Sequence, residues 1–106
     1  MAEASNVALR IDYAQTPFVS GARKYAEMFT FPGGASDNRI HFGSHITFAP
    51  SIDEAGQMLL FDPQTSGGLL LSVPVNNLDV LLGRAEKVGQ PLWVVGEVVS
   101  VSGIEV

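Results

Sequence analysis

The heptapeptide DPQTSGG, residues 62 to 68, combines the residue types that hold an anion through backbone groups. Its aspartate can accept hydrogen bonds from the N–H groups that follow, and its proline fixes one φ angle. The two glycines can turn their N–H groups in directions closed to other residues, while the threonine and serine add hydroxyl groups. One interpretation is a nest of N–H groups that binds phosphate, and the other is a tight turn whose groups satisfy one another. The candidate site residues are Asp62, Gln64, Thr65, Ser66, Gly67 and Gly68.

The same residues argue against two familiar kinds of reactive loop. A P-loop requires a lysine and a following helix, whereas this heptapeptide has no lysine and precedes the apolar run GLLLSV. Ser66 lacks the G-x-S-x-G turn of hydrolase nucleophiles, and a nucleophilic serine also needs a positioned base. We therefore expect no reaction at this loop, whether it binds an anion or only forms a tight turn.

Paired histidines and paired carboxylates elsewhere do not form a convincing catalytic or metal site. His41 and His45 would share a helical face, but the glycine between them and the strand-like residues after them argue against that helix. Asp53 and Glu54 are adjacent, so on a helix they point about 100° apart. We interpret the histidines as exposed or loop-ordering, and the carboxylates as charges at a helix start. No catalytic residue and no metal ligand is expected in this chain.

The composition predicts one acidic domain spanning residues 1–106. Of the 106 residues, 46% are hydrophobic and 16% are charged, which suits a single globular core. The net charge of −5 and the lack of a basic cluster argue against nucleic acid or an anionic membrane as partner. Cysteine is absent, as is usual in a reducing compartment, and the apolar runs are too short for a membrane helix. We therefore expect a cytoplasmic protein.

The residues before the heptapeptide are predicted to alternate between strands and helices. VALRID, residues 7–12, alternates as a half-buried strand does, and residues 17–29 have helical apolar spacing that begins at a proline. FPGGASDN, residues 31–38, contains a proline and two glycines and is predicted to be a turn or loop. A strand is expected over residues 45–48, and a short helix over 51–60 that starts at its serine.

The run GLLLSV, residues 68–73, is predicted to be a central strand covered on both faces, because it is almost continuously apolar. Residues 75–89 place their apolar side chains on one helical face. That helix is expected to start at Asn76 or Asn77 and to stop at a left-handed Gly89.

The last segment, residues 91–106, is predicted to form one or two strands. Gly96 marks a bulge or a close contact within them, and Trp93 is expected in the core. No repeat, low-complexity run or linker interrupts the chain. The predicted fold class is therefore α+β in a single unit.

Several motifs together resemble one enzyme family. DPQTSGGLL (62–70), followed after a helix by WVVGEVV (93–99), is similar to the C-terminal part of selenophosphate synthetase, also called selenide, water dikinase. FPGGASDN (31–38) is similar to that family's Pro-Gly-Gly-Thr turn with a later asparagine, and GEVVSVSGIEV (96–106) matches its end. The resemblance covers about residues 7–106.

The resemblance implies a fold and a reaction. The fold is the α/β/α C-terminal domain of the aminoimidazole ribonucleotide synthetase-related superfamily, with a mixed or antiparallel sheet. The full-length enzymes transfer phosphate from ATP to selenide with magnesium, which gives selenophosphate, AMP and orthophosphate, and they are homodimers. By the same resemblance, Gly33, Gly34 and Asn38 form a secondary turn of the site.

The departures from the family pattern are equally informative. The family's catalytic cysteine or selenocysteine, its lysine and its Asp-Val-Thr-Gly-Phe-Gly stretch have no counterpart in this sequence, and Ala35 replaces a threonine. The chain is therefore expected to be a C-terminal fragment that lacks the N-terminal ATP- and metal-binding domain. That missing domain would be its partner, and alone the fragment would hold no cofactor and show no activity.

Three hypotheses for the chain follow. In the first, the 62–68 loop faces an active site made with the missing domain. In the second, the chain is a non-catalytic phosphate-binding, nucleotide-binding or assembly module. In the third, the heptapeptide only shapes the start of the strand after it.

Overall fold

The structure is a computed structural model that describes residues 1–100 and 103–106. The helices are α1 (Ala2–Ser5), α2 (Ala22–Glu27), α3 (Gly33–Phe42), α4 (Glu54–Leu60) and α5 (Val75–Lys87), with short 3-10 helices at Tyr13–Gln15 and Gly43–His45. The strands are β1 (Ala8–Ile11), β2 (Ile46–Thr47), β3 (Gly96–Val99) and β4 (Gly103–Glu105). None of the described helices is both long and apolar enough to cross a membrane.

The four strands form one mixed sheet in the order β2-β4-β1-β3. β1 pairs antiparallel with β3 and parallel with β4, and β4 pairs parallel with β2. The predicted α+β class is confirmed, as are the strand near residues 7–12, the strand near 45–48 and a two-stranded chain end. Residues 101 and 102, within the predicted terminal strands, lie outside the described residues.

One charged side chain joins three of these strands. Arg10 on β1 donates to Glu97 on β3 at 3.0 Å and to Glu105 on β4 at 3.1 Å. The hydrogen bond to Glu105 and then the one to Glu97, reinforced by both negative charges, raise the pKa of Arg10. A base with a raised pKa loses its stabilising effect only as the pH rises through that pKa, so the Arg10 contribution stays constant around neutral pH. Because all three groups are solvent-exposed, that contribution is small.

The apolar core lies where α3, α4 and the region of β2 meet. Its central side chains are Ala35 on α3, Met58 on α4 and Phe61 just after α4. Phe48 contacts Phe61 edge to face, with 5.9 Å between the ring centroids. Phe31 and Ile46 pack around the same cluster. The candidate loop therefore follows directly from the best-packed part of the molecule.

The predicted helix over 17–29 is wrong in its first part. Gly21 has a φ of +86°, so the backbone there cannot belong to a right-handed helix, and α2 begins at Ala22. Phe18, in the preceding loop, lies with Tyr13 beside the Arg23 guanidinium, whose central carbon is 5.0 and 4.9 Å from the two ring centroids.

The predicted loop over FPGGASDN is also wrong. Residues 33–38 form the first part of α3, and Pro32 is its N-terminal cap residue. A proline is compatible with this position because the first N–H groups of a helix have no partner within it. Ala35 is fully buried against the core, so tertiary packing offsets the cost of the two glycines. Gly33, Gly34 and Asn38 are therefore helical residues, and the secondary turn predicted from them does not form.

The helix before the heptapeptide starts later than predicted. Asp53, rather than Ser51, is the N-cap of α4, and its carboxylate accepts a hydrogen bond from the Gly56 N–H at 2.8 Å. Glu54 lies in the first turn, which confirms the interpretation of both acids as charges at a helix start.

The prediction of a central strand over 68–73 is wrong. Residues 69–73 belong to no strand, and the side chains of Leu69, Leu70 and Leu71 are exposed. The segment lacks a neighbouring strand, because the sheet of the described residues consists of β1 to β4. Trp93 is likewise 57% exposed and precedes β3, so its prediction as a core residue within a strand is also wrong.

The prediction for α5 is confirmed at its end and wrong at its start. Gly89 has a φ of +68° just after the helix, as a left-handed stop requires. The cap residue at the start is Pro74, and both Asn76 and Asn77 lie inside the first turn. Proline suits this position because it needs no N–H partner there.

Candidate functional site

The heptapeptide forms an exposed loop that leaves the end of α4. Phe61, the last residue before it, is 4% exposed and anchored in the core. Asp62 is half-buried, and every residue from 63 to 71 is exposed. The loop is therefore fixed at its first residue and open to solvent along the rest of its length.

The Gln64 side chain lies beside two other residues of the loop, Asp62 and Gly67. Its Nε2 donates a hydrogen bond to the Asp62 carboxylate. A methyl group added at Gly67 would lie 3.2 Å from the Gln64 Oε1 and 3.4 Å from its Cβ. From the sequence, Asp62 was expected to bind N–H groups of the loop backbone, and Gln64 had no role of its own. The spacing of a carboxylate and an amide side chain two residues apart was the signal that could have revealed their contact.

The two glycines of the loop have ordinary backbone angles. Among the described glycines, positive φ values occur at Gly21, Gly89 and Gly103. A methyl group at Gly67 would press only on the flexible end of the Gln64 side chain, and open space surrounds Gly68. Neither glycine therefore adopts the left-handed conformation that would direct its N–H group where other residues cannot.

Thr65 and Ser66 form the middle of a turn in which the Gly67 N–H is directed at the Gln64 carbonyl oxygen. The backbone N–H groups of Gln64, Thr65, Ser66 and Gly68 make no hydrogen bond to the part of the chain that the structure describes. The hydroxyl groups of Thr65 and Ser66 are also without a hydrogen bond to that part. Since the residues are exposed, these donors face water. The loop thus carries several neutral donors of the kind that bind anions, without the left-handed glycine of an αR-αL nest.

Helix α3 contacts the loop on both sides of Asp62. The Asn38 Nδ2 donates to the carbonyl oxygen of Phe61 at 2.9 Å. A methyl group added at Gly34 would lie 3.1 Å from the Pro63 Cγ, so the helix backbone packs against the proline ring without room for a side chain between them. The two sequence motifs FPGGASDN and DPQTSGG are thus neighbours in the fold. Both motifs were candidates from the sequence, but nothing in their composition predicted that they meet.

The remaining candidates do not gather into a site. His41 lies on α3 and His45 in the 3-10 helix after it, and both are exposed. Arg39 binds Glu54 at 2.8 Å, which links α3 to α4. Among residues 1–100 and 103–106, no three His, Cys, Asp or Glu side chains lie close enough to hold a metal ion.

Comparisons with known proteins identify similar sequences along the whole chain. The family described as AIR synthase related protein, C-terminal domain, matches residues 1–106. A selenide, water dikinase of Nitratidesulfovibrio vulgaris is 37% identical over 98 residues, which is 92% of this chain and 28% of that protein. One of Pelobacter propionicus is 40% identical over 96 residues, 90% of this chain and 28% of the relative. One of Pseudomonas aeruginosa is 36% identical over 99 residues, 93% of this chain and 28% of the relative. The chain thus spans about 28% of the length of these relatives.

Proposed function

Because the chain belongs to the AIR synthase related protein, C-terminal domain family, and resembles selenide, water dikinases, we propose that it is the C-terminal part of such a dikinase. In the proposed reaction, ATP, selenide and one water molecule give selenophosphate, AMP and orthophosphate: one phosphate of ATP is transferred to selenide, and another is released to water. The proposed task of this chain is to present the 62–68 loop to a phosphate group. The proposed location is the cytoplasm.

The proposal rests on one observation: the loop has exposed hydrogen-bond donors that are available to an anion. Residues 64–68 are exposed, and all of their N–H groups except that of Gly67, which points at the Gln64 carbonyl oxygen, make no hydrogen bond to the described residues, although the loop is anchored at Phe61. Catalysis of phosphoryl transfer relies on fixed donors that face developing negative charge. Neutral backbone donors suit this role in a chain whose net charge is −5, because no cluster of basic side chains is available to attract a phosphate.

The chain's own residues fit the phosphate of ATP better than they fit magnesium. The N–H groups of Thr65, Ser66 and Gly68 and the hydroxyl groups of Thr65 and Ser66 would hold phosphate oxygens, and Gln64 would maintain the shape of the loop. Magnesium, when bound, would neutralise phosphate charge, but it needs several oxygen ligands. No described cluster of acidic side chains supplies them. We assign the metal ligands and the nucleophile to the N-terminal part of the dikinase, which we also propose as the partner of this chain and as the dimerising part.

Binding is tested by adding inorganic pyrophosphate to the ¹⁵N-labelled chain and following its amide signals. We expect the signals of residues 65–68 to shift and to saturate, with a Kd of about 1 mM because only part of the site is present. Sodium chloride at equal ionic strength is the control, and the amides at the start of α5 serve as an internal reference. Unchanged 65–68 signals would remove the support for an anion site.

Turnover separates this proposal from the other two hypotheses. In the complete dikinase, Thr65→Ala with Ser66→Ala is expected to lower AMP release while the unfolding temperature stays the same. If the loop only shaped the chain, stability would change and turnover would not. A stand-alone binding or assembly module would bind pyrophosphate without any contribution to AMP release. The 106-residue chain alone is expected to release no AMP from ATP.

A further inference from the structure

We infer that α3 acts as a clamp on the 62–68 loop and that Asn38 is a positioning residue for it. The functional meaning of the clamp rests on the proposed phosphate-binding role of the loop. Its existence rests on contacts alone, so the clamp and the proposed function can fail separately.

The clamp consists of two contacts from one face of α3. Gly34 and Asn38 are four residues apart, and residues at this spacing lie on the same side of a helix. Asn38 binds the Phe61 carbonyl oxygen at 2.9 Å, and Gly34 lies against the ring of Pro63. The contacts therefore grip the residues immediately before and after Asp62.

The Asn38 hydrogen bond satisfies a carbonyl group that the helix itself leaves free. Phe61 is the C-cap residue of α4, and carbonyl groups at a helix end have no partner within the helix. The bond is partly buried, so its loss would not be fully compensated by water. Asn38 thus fixes the point at which the chain turns from helix to loop.

The clamp is built on a rigid base. Ala35, between the two gripping residues, is fully buried in the cluster that contains Met58 and Phe61. The exposed Arg39–Glu54 ion pair joins α3 to the first residue of α4, at the end away from the loop, and is not part of this base. Because the core fixes α3, a change at Gly34 or Asn38 is transmitted outward to the exposed loop.

Asn38→Asp tests the hydrogen bond. The substitution keeps the shape of the side chain but replaces the donor with an oxygen that faces the Phe61 carbonyl oxygen. We expect the amide signals of residues 64–68 to shift, their heteronuclear NOE values to fall, and pyrophosphate to bind about tenfold more weakly, the loss expected for one hydrogen bond. Arg39→Ala is the control, because it removes a neighbouring contact between α3 and α4 that does not reach the loop.

Gly34→Ala and Gly33→Ala form a second, matched pair. Both substitutions place alanine in the first turn of α3 and raise its helix propensity. The added methyl group meets Pro63 only at position 34, since open space surrounds Gly33. We expect Gly34→Ala to shift the 64–68 signals and Gly33→Ala to leave them unchanged. This pair gives an answer even if Asn38→Asp does not fold.

The outcomes distinguish the clamp from the proposed function. Loop signals that respond to Asn38→Asp and Gly34→Ala but not to the controls support the clamp, even if pyrophosphate does not bind. Loop signals that stay unchanged in both variants overturn it, even if pyrophosphate does bind. An equal response to Arg39→Ala or Gly33→Ala also overturns it, because general packing would then account for the effect.

Discussion

Gly96 brings the backbone of β3 very close to that of β1. It pairs with Ile11, and a methyl group added at Gly96 would overlap the carbonyl oxygen of Arg10 and lie 3.0 Å from the Ile11 Cα. Both neighbours are backbone atoms, so they cannot move aside without changing the strand pairing. We expect Gly96→Ala to lower the free energy of unfolding by about 3 kcal/mol, as measured by urea denaturation.

The control for that prediction is Gly68→Ala. Open space surrounds Gly68, and its φ is not positive, so alanine is expected to leave stability unchanged or to raise it by up to about 1 kcal/mol. Equal destabilisation by the two substitutions would contradict the close contact at Gly96. The contact itself was among the features that the sequence predicted correctly, because an isolated glycine inside an apolar strand usually marks a bulge or a close approach of another backbone.

The choice between Ser51 and Asp53 illustrates what single residues leave open. Both are good N-cap residues, and only Ser51 has an acidic residue, Glu54, three positions later. The structure selects Asp53, whose carboxylate reaches the Gly56 N–H. A cap residue depends on where the first helical turn packs, and that packing is not encoded in the local sequence.

At the scale of elements, composition was a poor guide to α3. Two glycines and a proline predict a loop when propensities alone are summed. In the fold, the proline precedes the helix and Ala35 is fully buried, so packing outweighs local preference. The site geometry depends on this difference, because Gly34 and Asn38 share a face only when the segment is helical.

For the run GLLLSV, the sequence predicted a strand where the structure has no regular element. An apolar run predicts a strand, but a strand also needs a partner that accepts and donates hydrogen bonds. The described sheet offers this segment no such partner. An apolar composition indicates that a segment tends to be buried, but it does not indicate which other element buries it.

The glycine within helix α5 and the glycine that follows the helix differ in backbone conformation, so alanine should have opposite effects at the two positions. Gly89 follows the helix with a φ of +68°, whereas Gly83 lies within the helix, where a methyl group added to it would meet no neighbouring atom. Alanine at position 89 is expected to destabilise the chain by about 1–2 kcal/mol, because a left-handed conformation is strained for any residue with a Cβ. Alanine at position 83 is expected to stabilise it by about 0.5–1 kcal/mol. Thermal unfolding monitored by circular dichroism measures both, and the same sign for both would contradict this description of the helix end.

At the scale of the whole molecule, packing is uneven. Met58 and Phe61 are 6% and 4% exposed in the cluster beneath the loop, whereas Leu69 is 88% exposed. Stability is therefore concentrated in the part of the fold that carries the clamp. The three exposed leucines that directly follow the loop, residues 69–71, contribute little to it.

This unevenness predicts opposite responses from two apolar residues. Met58→Ala leaves a cavity in the core and is expected to lower the free energy of unfolding by about 2–5 kcal/mol. Leu69→Asp changes an exposed side chain and is expected to alter it by less than about 0.5 kcal/mol. Urea denaturation at several protein concentrations measures both values and separates folding from self-association. A loss at Leu69 as large as that at Met58 would mean that residues 68–73 are buried in solution, as the strand predicted from their composition requires.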